Sequence, residues 1–339
     1  MGLMPADRLN AGLLARDSAD VQGAERLADA VVQVLSGASL EEAASLVSIA
    51  PRELAAAVEL YDRAGRAALR QDADTDWWQI YLSFSDWHDA ETAAAAHLLP
   101  LLSDAEAAGA QWWFIRKYPE WRLRIRPRQR VESTLAAGLD ELAAAGHIAD
   151  WWHGLYEPET TAFGGADAMC AAHRLFHVDS RSILHHSRGT VDYALGPREL
   201  STLLCTVMLR AAGLEWFEQG DVWHRVCAER PLPDDVSPAR LQPMTAQLEA
   251  ILRTQAEKID SLFTTGDAAQ HATMWTSAFR ELGTTLGQAS RHGRLHRGLR
   301  EVLAYHVIFH WNRIGLPSRT QSALAHSARG AILEVNARQ

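Results

Sequence analysis

Residues 110–127 read AQWWFIRKYPEWRLRIRP, and this stretch decides the fold. It is rich in aromatic and β-branched residues, a composition that is typical of β-strands. In its second half arginines alternate with apolar residues, so we expect the guanidinium groups to share one face of a strand. These arginines are Arg122, Arg124, Arg126 and Arg128.

Two interpretations of this arginine face remain open. Adjacent cations repel one another unless water or anions stabilise them, and the pattern alone favours a solvated outer face. The alternative is a cavity in which the arginines hold a carboxylate or polarise carbonyl oxygens, because a planar guanidinium offers fixed donors and stays charged.

The rest of the chain predicts an α+β fold in which long helices cover a sheet. Residues 77–87 (WWQIYLSFSDW) have the composition of a second strand, and residues 88–108 have that of a helix that Pro100 kinks or splits. Strands followed by a long run of helices indicate a sheet with a helical layer. The helices are expected at residues 165–187, 197–214, 240–263, 271–291 and 295–312.

Residues 20–70 predict a helical appendage at the N-terminus. Two helices follow from the apolar spacing, one capped by Ser39 and one with Pro51 in its first turn. The second helix offsets its arginines with acidic residues, so a packing or peptide-docking role is favoured over DNA reading. The acidic stretch QDADTD at 71–76 is interpreted as a linker. The expected domains are residues 1–72 and 77–335.

The composition excludes several classes of protein. The chain has 339 residues and a formal net charge of −9, which argues against a general nucleic-acid binder. No apolar run reaches membrane-spanning length and the N-terminus lacks a signal-peptide pattern, so we expect a cytoplasmic protein without membrane association. The three cysteines are widely spaced and indicate reduced thiols rather than a zinc site or a disulfide framework.

The motifs of common cofactors are also missing. No phosphate-binding loop, GxGxxG motif or nucleophile elbow occurs, so we expect neither a nucleotide cofactor nor covalent catalysis. His173 and His177 lie at i and i+4 on a predicted helix, but a metal site needs a third ligand and none is evident. No metal is therefore expected.

Acidic candidates lie in and after the stretch YEPETTAFGG, residues 156–165. Pro158 holds Glu157 and Glu159 in an extended segment, where they could pair with the arginines or transfer protons. Gly164 and Gly165 then open a helix whose free N–H groups make an anion site. Further along the chain, Asp221 precedes His224 and predicts a helix start that Asp221 caps.

The C-terminal stretch HGRLHRGLREVLAYHVIFHWNRIGL, residues 292–316, combines an apolar helix with four polar residues near its end. Not all four can face one side, so at least one is expected to face the interior and to need a partner there. A histidine that titrates near neutral pH is the usual proton-transfer group, although a structural role is equally consistent with the pattern. The four residues are His306, His310, Asn312 and Arg313.

Three of these stretches, in this order, resemble one protein family over about residues 77–330. WWFIRKYPEWRLRIRP is similar to its W-F-x-R-x-x-P-x-x-R-x-R strand, YEPETTAFGG with AHRLFHVDS to its Y-E-x-E…G-G…F-x-x-D-S element, and VIFHWNRIGL to its H…N-R element. The family is the thiopeptide-type bacteriocin biosynthesis group, which has the fold of the C-terminal elimination domain of lantibiotic dehydratases.

The resemblance implies a site without a cofactor and a set of partners. The partners are a leader-bearing precursor peptide, a separate glutamylating dehydratase subunit and a second copy in a homodimer, with no nucleic acid and no membrane. The candidate catalytic residues are Arg122, Arg124, Glu157, His306 and His310. The candidate substrate-binding residues are Arg116, Arg126, Glu159, Asp179, Ser180, Asp221, Asn312 and Arg313.

The resemblance implies two alternative chemistries. Elimination domains remove glutamate from glutamylated Ser or Thr, and pyridine synthases join two dehydroalanines in a formal [4+2] cycloaddition with loss of water and the leader. Elimination domains usually have an arginine where this chain has Ala162, and a histidine where it has Ile308. These departures favour pyridine synthesis over elimination. A leader-binding protein without catalysis is the remaining alternative.

Overall fold

The computed structural model describes residues 23–74, 76–188, 195–254 and 267–334. The chain divides into two compact units, residues 1–72 and 73–339. The predicted domains, 1–72 and 77–335, remain a proposal, and parts of both lie outside the described residues.

A four-stranded antiparallel sheet lies in the second unit, in the order β2-β3-β1-β4. Residues 110–127 supply two of its strands, which are joined at Tyr118 and Pro119. Proline interrupts the stretch because it donates no hydrogen bond to a ladder. Arg128 begins the next helix and leaves the arginine face with three members. The strands are β1 (Trp78–Ser83), β2 (Gln111–Lys117), β3 (Glu120–Arg126) and β4 (Asp150–Gly154).

The register of the sheet places the arginines beside polar and aromatic partners. Arg122 lies opposite Tyr81 on β1, and Arg124 lies opposite Gln79. On the other side, Trp113 of β2 lies opposite Arg124. Successive side chains of a strand point to opposite faces, so the arginines share the face that is turned away from the apolar residues between them.

The predicted helix at 88–108 is interrupted, as its proline indicated. Pro100 has no N–H to donate to the carbonyl oxygen of the residue four positions before it. It lies in the first turn of the last helical segment, and a five-residue π-helical turn immediately precedes that segment. The pieces are α4 (Ala90–Ala93), the π-helical turn (Ala94–Leu98) and α5 (Leu99–Ala107). The next helix, α6 (Arg128–Ala144), and strand β4 were not predicted from the sequence.

Long helices complete the second unit and confirm the α+β fold with a helix-covered sheet. Helix α13 was not predicted, α9 was predicted only from Asp221 onward, and of the predicted helix at 240–263 the part after residue 254 lies outside the described residues. The helices are α7 (Ala166–Ser187), α8 (Pro197–Ala211), α9 (Trp216–Glu229), α10 (Gln242–Arg253), α11 (Asp267–Arg291), α12 (Leu299–Ile314) and α13 (Ser318–Leu333).

Each face of the sheet packs against its own apolar cluster. The large core contains Leu123 and Ile125 of β3 together with apolar residues of α5, α6 and α8. A second, aromatic cluster lies on the arginine face and contains Trp113, Phe163 and Phe176. The arginine face is therefore covered by aromatic rings rather than by water alone.

The described part of the first unit, from residue 23 onward, contains three helices, and its two predicted helix starts are confirmed. The side chain of Ser39 accepts a hydrogen bond from the N–H of Glu42 at 3.3 Å, and Pro51 is the first residue of its helix. The stretch QDADTD, interpreted as a linker, contains the boundary between the two units, and helix α3 continues through it to Asp74. The helices are α1 (23–35), α2 (Leu40–Leu46) and α3 (Pro51–Asp74).

Among the described residues, no helix is both long enough and apolar enough to cross a lipid bilayer.

Two glycines of α11 set how closely this helix packs on α8, which gives a stability prediction. A Cβ at Gly283 or Gly287 would clash with the carbonyl oxygen of Met208 or of Ala212, respectively, and backbone cannot move aside cheaply. Alanine is normally the better helix former by about 1 kcal/mol. Here we expect Gly283→Ala to lower the free energy of unfolding by about 1–3 kcal/mol. Thr284→Ala, at an exposed position, should change it by less than about 0.5 kcal/mol.

Urea unfolding followed by circular dichroism measures both variants. Equal stability of Gly283→Ala and the parent chain would show that the two helices do not pack this closely.

Candidate functional site

Two adjoining cavities lie on the arginine face of the sheet, and together we call them the arginine cleft. The first cavity has a volume of about 250 Å³ and the second of about 370 Å³. They share four lining residues: Arg122, Arg124, Glu159 and Phe309. The first also contains Gln79, Tyr81, Tyr156 and Glu157, and the second contains Arg116, Lys117, Arg230, Tyr305 and Asn312.

Arg124 is the most enclosed of the three β3 arginines, since only 6% of its surface is exposed. Its Nε donates to Oε1 of Gln79 at 2.9 Å, and its guanidinium carbon lies 4.2 Å from the ring centre of Trp113. Burial, together with the positive charge of neighbouring Arg122, lowers the pKa of Arg124 to about 10. The group is still a cation at neutral pH, and its Nη1 has no hydrogen-bond partner among the described residues.

This burial decides between the two interpretations of the arginine face. A solvated outer face is wrong for Arg124, because the side chain is enclosed by rings and lines both cavities. Arg122 also lines both, lies 5.5 Å from the ring of Tyr81, and leaves its Nε without a described partner. Unpaired N–H donors at the edge of a cavity can bind an oxygen of a ligand.

The two flanking arginines have protein partners. Arg116 forms an ion pair with Glu91 and lies 4.6 Å from the ring of Trp121, while its Nε and Nη2 have no described partner. Arg126 donates to Oε1 of Gln111, and it is not among the residues that line the cleft. Arg116 is therefore placed to meet a ligand, whereas Arg126 braces the edge of the sheet.

The loop that carries Glu157 and Glu159 is tied to α12 and the residues before it. The hydroxyl of Tyr305 donates to Glu159 at 3.0 Å, and Nη1 of Arg297 donates to the carbonyl of Ala162 at 3.1 Å. The N–H of His296 donates to the carbonyl of Gly164 at 3.0 Å. These three hydrogen bonds tie the loop to residues 296–305 and hold its carboxylates in place beside the arginines.

The paired glycines at the end of this loop open helix α7 as predicted, whereas the anion site expected at the start of the helix stays a prediction. Gly165 precedes the first residue of α7 and has φ 110°, and Gly164 has φ 92°. L-residues with a side chain rarely adopt these angles, so glycine is required where the loop turns into the helix. Helix α7 accordingly starts within one residue of its predicted start.

Asp179, His310 and Arg313 form a buried ion triad behind the cleft. Nδ1 of His310 donates to Oδ2 of Asp179 at 2.9 Å, and Nη1 of Arg313 donates to the same oxygen at 2.6 Å. Burial by itself would raise the pKa of the Asp179 carboxyl. His310 and Arg313 lower this pKa by more than burial raises it, so it lies below the ordinary value for aspartate. The sequence prediction that at least one of the four polar residues near the end of 292–316 faces the interior and has a partner there is confirmed by His310 and Arg313.

His306 lies in the same layer but outside the triad. It is buried 4.8 Å from the ring of Phe163, and neither ring nitrogen has a hydrogen-bond partner among the described residues. Burial lowers its pKa to about 3, and the positive charge of Arg313 lowers it as well. His306 is therefore neutral at physiological pH.

The two histidines predicted to be catalytic do not reach the cleft. His306 lies behind Phe163 and Phe176, which line the first cavity, and His310 is directed at Asp179. Their geometry gives them a positioning role in the wall of the cleft. A direct catalytic role for either one stays a prediction for which the structure offers no contact.

The other predicted site residues are distributed over several elements. Ser180 accepts the N–H of Phe114 at 3.1 Å and joins α7 to β2. Asn312 lines the second cavity and accepts a hydrogen bond from Gln321. Asp221 lies within α9, 3.2 Å from Arg300, and does not line the cleft. The predicted helix start at Asp221 is wrong, because a capping box of Glu215 and Glu218 begins α9 earlier.

The pair His173 and His177 shows no metal geometry. The hydroxyl of Tyr156 and Nε2 of His173 are hydrogen-bonded at 2.7 Å, and Nδ1 of His177 lies 2.8 Å from the carbonyl oxygen of Trp112. Over residues 23–74, 76–188, 195–254 and 267–334, no three His, Cys, Asp or Glu side chains form a metal-ligating group.

Several cleft residues escaped the sequence prediction. Gln79 and Tyr81 alternate on β1 with buried apolar residues, and this alternation could have placed them on the arginine face. Tyr305 and Arg297 reach the loop from more than 130 positions away along the chain, and no local pattern announces such a contact.

The depressed pKa of His306 predicts how stability depends on pH. In the unfolded chain a histidine has a pKa near 6.5, so between about pH 6.5 and 3 the unfolded state binds a proton that the folded state does not. Stability should therefore fall as the pH falls below about 6.5, by up to ~1.4 kcal/mol per pH unit from this group. His306→Leu should remove this contribution from the slope, whereas His88→Gln, at an exposed position, should keep it.

Urea unfolding at several pH values between 4 and 7 tests this, and identical slopes for His306→Leu and the parent would contradict a buried, neutral His306.

The bond from Arg297 to Ala162 predicts how firmly the loop is held. Removing one hydrogen bond from a charged donor costs about 1–3 kcal/mol, so Arg297→Ala should speed hydrogen exchange in residues 157–165 at least about fivefold. Arg300→Ala is the matched control, because Arg300 lies three residues further along the chain, in the first turn of α12, and pairs with Asp221 instead of the loop. Mass spectrometry of exchanged peptides measures both, and equal rates in the two variants would count against this anchor.

Two solved structures are similar to this chain. The tRNA-dependent lantibiotic dehydratase MibB from Microbispora sp. 107891 is 19% identical with a TM-score of 0.54, over 78% of this chain and 28% of that chain. The pyridine synthase TbtD from thiomuracin biosynthesis is 14% identical with a TM-score of 0.47, over 78% of this chain and 100% of that chain. The chain thus spans little more than a quarter of MibB.

No curated protein matches the sequence. Residues 77–332, three quarters of the chain, match the family model for the C-terminal region of lantibiotic biosynthesis dehydratases. The resemblance drawn from the three motifs is confirmed, and the chain belongs to the family of lantibiotic biosynthesis dehydratase C-terminal regions.

Proposed function

We propose that this protein tailors a leader-bearing, ribosomally made precursor peptide in the cytoplasm and forms the pyridine-centred macrocycle of a thiopeptide. The observation that carries the proposal is the buried cation Arg124, whose unpaired Nη1 lies in a cleft that also contains Glu157 and Glu159. Donors to an amide oxygen beside carboxylates that can carry protons are the groups that this reaction requires.

The proposed reaction balances without an oxidant or a cofactor. An amide next to one dehydroalanine tautomerises to its iminol, and a formal [4+2] addition to the second dehydroalanine forms two carbon–carbon bonds. The iminol oxygen then leaves as water and the leader leaves as its amide, so that the ring becomes aromatic. In this scheme Arg122 and Arg124 stabilise the charge on the amide oxygen, and Glu159 with Tyr305 transfers protons.

Two positions support cycloaddition over elimination. Ala162 stands where elimination domains usually have an arginine, and Ile308 stands at their histidine position and lines the second cavity. No histidine is among the described residues that line either cavity. A histidine-dependent removal of glutamate therefore has no group to carry it in the arginine cleft.

Glutamate elimination is the second candidate, and the charge of the second cavity favours it. Arg116, Lys117 and Arg230 line this cavity beside the two β3 arginines and could hold the carboxylate of a glutamyl ester. In either case a separate dehydratase subunit first glutamylates the serine or threonine residues of the peptide. The protein itself acts alone or as a homodimer.

Two substrates distinguish the two reactions. The first is a leader-attached peptide with azoles and two dehydroalanines, which we expect to yield a pyridine macrocycle and free leader amide by mass spectrometry. The second is a peptide with a glutamylated serine, which we expect to stay intact. Loss of glutamate from the second, with the first unchanged, would replace cycloaddition by elimination, and no turnover of either would leave leader binding alone.

Variants of the cleft test the assigned groups on the first substrate. Removing a preorganised donor to a developing oxyanion typically lowers kcat by about 10²–10³-fold, and we expect a loss of this size for Arg124→Ala. Arg319→Ala is the control, because Arg319 forms an exposed ion pair with Asp235 outside the cleft, and its kcat should be unchanged. Full activity of Arg124→Ala would remove this arginine from the mechanism.

A further inference from the structure

Strand β4 forms one edge of the sheet. It pairs with β1 on one side and is the last strand in the sheet order, so in the described part of the chain no strand pairs with its other side. Asp150, Trp152 and His153 are exposed, and Trp152 has 40% of its surface open. The strand therefore presents backbone N–H and C=O groups together with an exposed indole ring.

This edge is only partly protected, since the N–H of Trp151 donates to Oδ1 of Asp150 at 2.8 Å. Proteins commonly shield edge strands with lysine, proline or a covering element, because free backbone groups pair with any extended chain. The sequence of β4, DWWHG, contains neither lysine nor proline. Its five residues span roughly 17 Å, which is enough for several main-chain hydrogen bonds to an added strand.

The exposed edge is continuous with the arginine cleft. The ring of Trp152 stacks on that of Tyr81 with centres 5.5 Å apart and planes 11° apart, and Tyr81 lines the first cavity. The chain leaves β4 at Gly154 and enters the cavity wall at Leu155, which is 79% exposed. A peptide lying along β4 would reach the cleft within one or two residues.

We propose that the outer edge of β4 binds the substrate peptide as an added antiparallel or parallel strand, and this rests on the proposed function, in which the substrate is a peptide. Main-chain pairing gives affinity without requiring particular side chains, and the Trp152–Tyr81 pair forms an apolar platform for every second residue. Residues converted to azoles have lost their amide N–H, so the paired segment is the unmodified stretch on the leader side of the reacting residues.

An N-methyl scan tests this pairing without changing the protein. The probe is the leader-attached peptide with alanine in place of both dehydroalanines, so that it binds but does not react. In an added strand alternate N–H groups face the edge, so single N-methylations should weaken binding about tenfold or more at every second position and little in between. Fluorescence anisotropy gives the dissociation constants, and losses without a period of two would overturn the proposal.

Two measurements on the protein give independent evidence. The probe should slow hydrogen exchange in residues 150–154, and Trp152→Ala should weaken its binding severalfold. Phe217→Ala is the matched control, because Phe217 is an aromatic residue on α9 that is 56% exposed and does not line the cleft, and it should bind the probe normally. Unchanged exchange in β4 at saturating probe would exclude the edge as the binding surface.

The binding experiment and the turnover experiment can fail separately. Conversion of the dehydroalanine peptide without protection of β4 overturns the edge proposal and keeps the reaction. Protection of β4 with alternating N-methyl effects, but without conversion, keeps the edge and overturns the reaction.

Discussion

The carboxylate of Asp179 holds together the helical layer behind the arginine cleft. It lies on α7 and receives hydrogen bonds from His310 and Arg313 on α12 and from Trp275 on α11, the last at 2.7 Å. All of these groups are fully or almost fully buried, so a single charge joins three helices in a low-dielectric interior. Loss of one partner from such a group leaves a buried charge without compensation, which typically costs about 3–5 kcal/mol.

The wall that this triad supports gives the cleft its character. Phe176 lies 4.3 Å from the guanidinium of Arg313 on one side and lines the first cavity on the other. Together with Phe163 and Phe309 it separates the buried triad from the arginines of β3. The protein thus contains two sets of charges that lie close together. The charges of the triad are compensated within the protein, whereas the arginines of β3 keep free N–H donors for a ligand.

The sequence predicted the parts of the site that lie on one element, and it failed where elements meet. Alternation along β3 correctly placed the arginines on one face, and the paired glycines correctly located the start of α7. The same local reasoning could not distinguish a solvated face from a cavity, because the rings that bury Arg124 come from β2 and from the loop after β4. It also assigned catalysis to His306 and His310, since a polar residue on an apolar helix does not reveal which buried partner it has.

The surplus of fixed cations in the second cavity has a consequence for the precursor peptides that the proposed function assigns to the cleft. Five basic side chains line this cavity with two acidic ones, Glu159 and Glu229, and the rings around Arg124 prevent its guanidinium from turning away. A lysine or arginine next to the reacting residues would be repelled before any bond changes, whereas neutral and acidic neighbours would be drawn in. Under the proposed function the cleft therefore selects peptides by charge, and this selection constrains which amino acids flank the reacting positions.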